Sequence, residues 1–222
     1  VQLSISDIYV VVLNDDFSLK SAPQKLKTRG PYDLIPSQSE DARLFRYKGS
    51  LWVIYNDNVE SLGASFEQRR DMYIAKVDYK KGRFTLGTPL KIIHQSKWAN
   101  ILWQKNWVPF EWEGNLLMSY SLNPHEVLLV DMNTGVCKSL FESKPPLKWH
   151  FGTLRGGTPA QIVDGEYFGI FHSSKHMSSV YSQGKMMYHY FMGGYTFSKD
   201  PPFQFTKISK TPLIHPNVVA LH

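Results

Sequence analysis

The sequence predicts an all-β protein, specifically a β-propeller of four-stranded antiparallel blades, because a two-hairpin pattern recurs along it. Three segments align with one another, the third being one residue longer: Leu44–Tyr55, Pro109–Tyr120 and Pro159–Phe171. Each contains a short strand, a turn with a glycine and a second strand rich in apolar and aromatic residues. Each is followed by another hairpin, and two hairpins in succession form the meander of one propeller blade.

Glycines mark the turns of the three first hairpins at Gly49, Gly114 and Gly165, where a tight turn requires positive φ. The second hairpins are expected in Met72–Leu86, Glu126–Leu140 and, with a longer turn, His189–Ser209. No helical period persists over three turns, and Gly and Pro interrupt the chain throughout. A β-sandwich also has short strands and regular turns. The paired hairpins favour the propeller, because they repeat about every 50–65 residues.

The ends of the chain predict an incomplete ring. Ser6–Lys27 has the pattern of the outer half of a blade whose inner hairpin is absent, and Pro212–Pro216 has the pattern that leads into another. Residues 1–222 are therefore expected to form a single, partial propeller domain. Either further sequence or another chain, as in a homo-oligomer, would complete it.

Composition narrows the class of protein. The 222 residues include 42% hydrophobic and 14% aromatic residues, which suits a large core and also stacking against sugar rings. The net charge of +6 favours an anionic substrate, but no basic run reaches the length typical of nucleic-acid binding, so no nucleic-acid partner is expected. Cys137 is the sole cysteine, which favours a reducing, cytoplasmic compartment. No apolar stretch is long enough for a membrane span.

The repeat also predicts where a site would lie. In an antiparallel blade, the start of the first strand and the end of the second lie on the same face, so residues at these positions should converge on one mouth of the axial funnel. The residues before the first strands are Glu40, Asp41 and Arg43, then Lys105 and Trp107, then Arg155 and Gly157; those that end the second strands are Asn56, Ser121 and His172.

These residue types suit the cleavage of a sugar bond with phosphate. A carboxylic acid such as Asp41 or Glu40 can protonate a departing glycosidic oxygen. A cluster of Lys, Arg and His can hold phosphate, Gly157 allows close approach, and Trp107 can stack on a sugar. Each of these residues could instead have a structural role. Asp41 could pair with Arg43, Lys105 could be a solvated surface residue, and His172 could be a hydrogen-bonded core residue. No metal site is expected, since His172 and His176 have ligand-like spacing but lack a third ligand.

At this point the motifs resemble the five-bladed propellers of glycoside hydrolase family 130, the β-mannoside phosphorylases and mannosidases, and the related mannosyltransferase/phosphorylases. Ser39–Arg43 resembles the family's Glu-Asp-Pro-Arg segment, with Ala42 in place of the Pro. Lys105, before Val108–Phe110, resembles the lysine of its Lys-Asp…Phe-Pro segment, with Asn106 in place of the Asp. The other similar positions are Arg70 ahead of Met72–Ala75, and Gly156–Pro159 followed by Phe171 and His172.

The resemblance implies a carbohydrate-active enzyme that cleaves or forms a mannoside bond, with an oligosaccharide or sugar phosphate as partner and inorganic phosphate as co-substrate in place of any cofactor. Asp41 would be the general acid, and Arg70, Lys105 and His172 would hold phosphate; Arg43, Asn56, Gly157 and Trp107 would complete the binding site. A sugar-nucleotide glycosyltransferase, a hydrolase of the same fold and a non-catalytic sugar- or protein-binding propeller are the alternatives. Because neighbours along a strand alternate, we expect Asp41 to face the funnel and Glu40 to face away.

Overall fold

The computed structural model describes residues 5–28, 37–58 and 69–213. All of the regular structure in these ranges is β. In chain order the strands are β1 (Tyr9–Val10), β2 (Gln24–Lys25), β3 (Glu40–Tyr47), β4 (Ser50–Asp57), β5 (Asp71–Lys80), β6 (Arg83–Leu86), β7 (Leu90–His94), β8 (Val108–Trp112), β9 (Asn115–Leu122), β10 (His125–Val130), β11 (Val136–Ser143), β12 (Arg155–Gly156), β13 (Gln161–Val163), β14 (Glu166–Met177), β15 (Met187–Ser198) and β16 (Phe205–Ile208). No helix in the described ranges is long and apolar enough to cross a membrane.

The chain divides into two compact units. The first comprises Val1–Lys105 with Val130–Cys137, and the second comprises Asn106–Leu129 with Lys138–His222.

The first unit contains one blade in which β3, β4 and β5 form an antiparallel meander. Its outer position is shared by two strands: β6 pairs with the end of β5, and β7 pairs with its start. The other edge of β7 is covered by the first two residues of β11, which pair with it in parallel.

A side chain covers part of the outer edge of this blade. The amide of Gln24, on β2, donates from Nε2 to the carbonyl of Phe84 at 2.5 Å and accepts the Phe84 N–H on Oε1 at 2.9 Å. The apolar residues of the N-terminal segment, Ile8, Val10 and Leu26, pack on the core side of the same blade.

The second unit contains β8, β9, residues 125–129 of β10 and residues 138–143 of β11, together with the set of neighbouring strands β12–β14–β15–β16. In the latter, the inner position is again shared, because β12 and β13 both pair with β14. Its core is a cluster of aromatic rings in which Phe110 lies 4.8 Å from Tyr167, 5.1 Å from Phe197 and 5.4 Å from Phe203, measured between ring centroids.

The predicted fold class is confirmed: the protein is an all-β propeller built of antiparallel meanders. The three first hairpins form at β3–β4, β8–β9 and β13–β14, and the second ones at β5–β6, β10–β11 and β15–β16. The turn glycines have the expected positive φ, at 69° for Gly49, 72° for Gly114 and 81° for Gly165.

Candidate functional site

A β-bulge at the start of β3 shapes the candidate site in the first unit. Glu40 lies opposite Asn56 and Arg43 lies opposite Ile54, so that two residues of β3, Asp41 and Ala42, oppose a single residue of β4. Asp41 has a φ of 56°, in the left-handed region that non-glycine residues rarely occupy. Bulges and such backbone outliers concentrate at functional sites.

The bulge brings the carboxylates of Asp41 and Glu40 to the same hydrogen-bonded group of side chains. Oδ2 of Asp41 accepts a hydrogen bond from Nδ2 of Asn56 at 3.3 Å, and Oε1 of Glu40 accepts one from Nη2 of Arg70 at 2.9 Å. Arg70 and Asn56 are themselves hydrogen-bonded. The expectation that Glu40 faces away from the site is therefore wrong, because the extra residue in β3 interrupts the alternation on which it depended.

Arg70 and Asn56 form the buried base of this centre. The guanidinium donates from Nη1 to Oδ1 of Asn56 at 2.9 Å and to the carbonyl of Gln38 at 3.1 Å. Arg70 is 8% exposed and Asn56 is 1% exposed, whereas Asp41 is exposed. Arg70 is thus bonded to protein through both terminal nitrogens, and its charge is balanced by Glu40. Asn56, predicted to contact the substrate, instead lies beneath Asp41 and orients it.

A third carboxylate, which is buried, fixes the segment that leads into β3. Asp57, 1% exposed, accepts hydrogen bonds from Oγ of Ser39 at 2.6 Å, from the N–H of Asn58 at 2.7 Å and from the N–H of Gln38 at 3.3 Å. This network holds the Gln38 carbonyl where Arg70 meets it. The sequence signal for it was the consecutive Asn56–Asp57 pair at the end of an apolar strand.

An exposed indole adjoins the site. Trp103 is 52% exposed, and its ring lies 6.0 Å from Cζ of Arg70 and 5.4 Å from Nζ of Lys105. Backbone hydrogen bonds from the Arg70 N–H to Leu102 and from the Gln104 N–H to Arg70 hold this segment beside the start of β5. Lys105 is exposed and Arg43 is half-buried. Trp103 was missed in the sequence, although it stands two residues before Lys105.

The remaining predicted site residues belong to the second unit. Trp107 is 1% exposed and packs edge-on against Tyr120, with 5.1 Å between ring centroids, so its ring has no face available to a sugar. The backbone of Gly157 lies close to that of β14, because a Cβ added at Gly157 would lie 2.2 Å from the carbonyl oxygen of Ile170. Close packing against β14 therefore accounts for this glycine without a ligand.

His172 is half-buried on β14, opposite Arg155, and its ring stacks at 6.5 Å on Tyr190, which is 61% exposed. His176, four residues further along β14, lies 4.9 Å from the ring of Tyr188. Both histidines thus contact tyrosines. Within the described ranges, no three His, Cys, Asp or Glu side chains are grouped as a metal ion would require.

Comparison with known proteins shows similarity of fold. No protein-family model and no curated protein matches the chain. An α-L-arabinofuranosidase from Lactobacillus brevis matches with a TM-score of 0.54 and 15% identity, over 86% of this chain and 61% of that one. Two Bacteroides ovatus structures also match: the xyloglucan PUL GH43B protein (TM-score 0.48, 10% identity, 79% of this chain and 30% of that one) and a glycosyl hydrolase (TM-score 0.46, 11% identity, 82% and 72%).

The chain therefore spans less than two thirds of the arabinofuranosidase and less than one third of the GH43B protein. Identities of this size establish a shared fold and nothing about substrate.

Proposed function

We propose that the protein is a carbohydrate-active enzyme that cleaves glycosidic bonds and that Asp41 is its catalytic acid. The observation that carries the proposal is the position of Asp41. It is an exposed carboxylate on a bulge with a φ of 56°, hydrogen-bonded to a fully buried Asn56 that Arg70 holds in place. A backbone outlier supported by a buried polar pair is a preorganised group, as acid–base catalysis requires.

The fold supports this class of function without determining it. One solved structure of similar fold, with a TM-score of 0.54, is an arabinofuranosidase, which is a glycosidase. Because one fold can host many functions, the residues of the site itself carry the proposed activity.

Within this class, the hydrogen bonds and the burial of Arg70 favour hydrolysis. Its guanidinium is bonded to Gln38, Asn56 and Glu40, and its side chain is 10% exposed. A phosphate would have to compete with Glu40 for it. Arg70 is better suited to position Asn56, and through it Asp41. Asp41 would give its proton to the leaving oxygen while water attacks the sugar carbon; the attacking water would then release a proton to the solvent, from which Asp41 is reprotonated.

Phosphorolysis is the second candidate, and Lys105 favours it. Its exposed ammonium and the guanidinium of Arg70 lie against the same indole, that of Trp103. Two cations at one aromatic ring would attract a phosphate dianion, and the ring would offer a face for the sugar. Lys105 and Arg70 would then hold phosphate in place of the attacking water.

The test measures product release from aryl glycosides and oligosaccharides of arabinose, xylose and mannose, with and without inorganic phosphate. We expect turnover by the wild type and a loss of about 10²–10⁴ in kcat for Asp41→Asn, which retains size and removes the transferable proton. Glu40→Gln should be milder. If turnover requires phosphate, the reaction is phosphorolysis. A folded Asp41→Asn variant with full activity would exclude Asp41 as the acid, and sugar binding without turnover would identify a binding module.

A further inference from the structure

A cavity of about 700 Å³ lies in the second unit, beside the β14–β15 hairpin. All of its lining residues are described, and they come from β14, β15, the connection between them, Phe151 and residues 211–212. This volume lies in the range of small-molecule sites, which reach about 300–1,000 Å³.

One face of the hairpin forms a wall of this cavity. Along β15, His189 and Phe191 are buried whereas Tyr188 and Tyr190 are 65% and 61% exposed, as expected for side chains that alternate between two faces. Phe191 packs against Phe151 with 5.1 Å between ring centroids, and both rings line the cavity. The cavity is thus bounded on this side by flat aromatic surface.

Two nitrogen-bearing side chains meet on the same face. Lys175 of β14 lies directly opposite His189 of β15, and both line the cavity. Residues opposite each other in an antiparallel pair have Cβ atoms about 4.5–5.5 Å apart, so one small ligand can reach both. The ammonium of Lys175 makes one long hydrogen bond, of 3.4 Å, to the carbonyl of His150.

His189 carries an unsatisfied polar atom. The residue is 6% exposed, and its Nε2 is buried with no hydrogen-bond partner among the described residues. An unpaired buried polar atom costs about 1–3 kcal/mol, and a bound water, ion or ligand that supplies the missing partner would remove that cost.

We propose that this cavity binds a small molecule in which a six-membered ring carries a carboxylate. The ring would pack against Phe151 and Phe191, and the carboxylate would accept hydrogen bonds from Lys175 and His189. The charge of the lining favours this class, since it includes Lys175 and no Asp or Glu. Two kinds of compound share the chemistry, an aromatic acid and a uronic acid, and neither depends on the site at Asp41.

The test is calorimetric titration of the intact protein with benzoate, glucuronate and, as the uncharged comparison, benzyl alcohol. We expect one or both carboxylates to bind with a Kd of about 1 mM or tighter, and benzyl alcohol to bind at least about tenfold more weakly because it lacks the charge-assisted hydrogen bonds. Binding of benzoate alone identifies an aromatic acid as the source, and binding of glucuronate alone identifies a uronic acid.

Two variants connect the binding to the named residues. Lys175→Met should weaken carboxylate binding about tenfold or more. His189→Phe should weaken it as well and, because it removes an unsatisfied buried nitrogen, should not lower the melting temperature. Lys185→Met, on the connection between the strands but outside the lining, is the matched control and should leave affinity unchanged. Failure of both carboxylates to bind the wild type, equal binding of benzyl alcohol, or full affinity in both variants would overturn the proposal.

Discussion

Arg70 determines which way the side-chain amide of Asn56 points. Because Nη1 of Arg70 donates to Oδ1 of Asn56 at 2.9 Å, the amide oxygen must face the arginine, and the NH₂ group is directed towards Asp41 and the carbonyl of Glu40. The orientation of Asp41 is therefore set through Asn56 by Arg70, the residue immediately before β5.

Arg70→Lys should lower both stability and activity. A lysine has one nitrogen and cannot bond at once to Gln38, Asn56 and Glu40, as the guanidinium fork does. We expect the free energy of unfolding, measured with urea, to fall by about 1–3 kcal/mol. Arg46→Lys, on the exposed part of β3, is the control and should change it little. Equal stability of the two variants would show that the fork is not needed.

Asp41→Gly should remove activity without destabilising the protein. Glycine relieves the cost of a φ of 56°, which offsets the added flexibility of the unfolded chain, so the free energy of unfolding should stay within about 0.5 kcal/mol of the wild type. Asp78→Gly, in β5, lacks this relief and should cost about 1 kcal/mol in the same denaturation experiment. A larger loss for Asp41→Gly than for Asp78→Gly would contradict the assignment of strain to Asp41.

The two tryptophans that flank Lys105 should differ in phenotype. Trp103→Ala removes an exposed ring from the proposed site, and we expect the KM for a glycoside to rise by up to about tenfold with the fold intact. Trp107→Phe alters a buried ring and should lower the free energy of unfolding by about 1–2 kcal/mol without changing KM. Fluorescence-detected sugar binding and urea denaturation separate the two; a change in KM for Trp107→Phe alone would reverse the assignment.

His125 should make the protein less stable in mild acid. It is buried beside Phe197 and Phe205, and this burial lowers its pKa from 6.5 to about 4. Between these two values the unfolded chain binds the proton and the folded protein does not. Stability is therefore full above pH 6.5 and falls as the pH drops towards 4, by a total of about 3 kcal/mol.

Urea unfolding from pH 7 to pH 4 measures this effect. His125→Gln should flatten the pH dependence, although it loses the hydrogen bond to the Phe203 carbonyl. His150→Gln, at an exposed position, should leave the slope unchanged. The same slope in wild type and His125→Gln would show that another group is responsible.

The repeats could be predicted from the sequence because hairpin signals are local. Gly49, Gly114 and Gly165 stand at turns whose geometry their own neighbours determine, so strand positions followed from them. The proximity of Asp41 and Asn56 was also predictable, since they stand at the ends of strands that pair. Arg70 was expected only from the family resemblance.

The arrangement within the site could not be predicted, because it depends on register and burial. No residue type indicates the extra residue in β3 or shows that Glu40 bonds to Arg70 while Asp41 bonds to Asn56. Trp103 and Trp107 are the same residue type, and each is separated from Lys105 by the same number of positions in the sequence. Only the packing of Trp107 on Tyr120 decides that it is the buried one.

The outer edge of the first blade has a consequence for solubility. A strand with unpaired N–H and C=O groups is a template on which other chains can assemble, and natural sheets block such edges. Here Gln24 acts as a single-residue substitute for a neighbouring strand, since its amide presents one donor and one acceptor to Phe84 as a peptide group would. A Gln24→Ala protein would expose this peptide group, and we expect it to self-associate at concentrations where the wild type stays dispersed, as light scattering would detect.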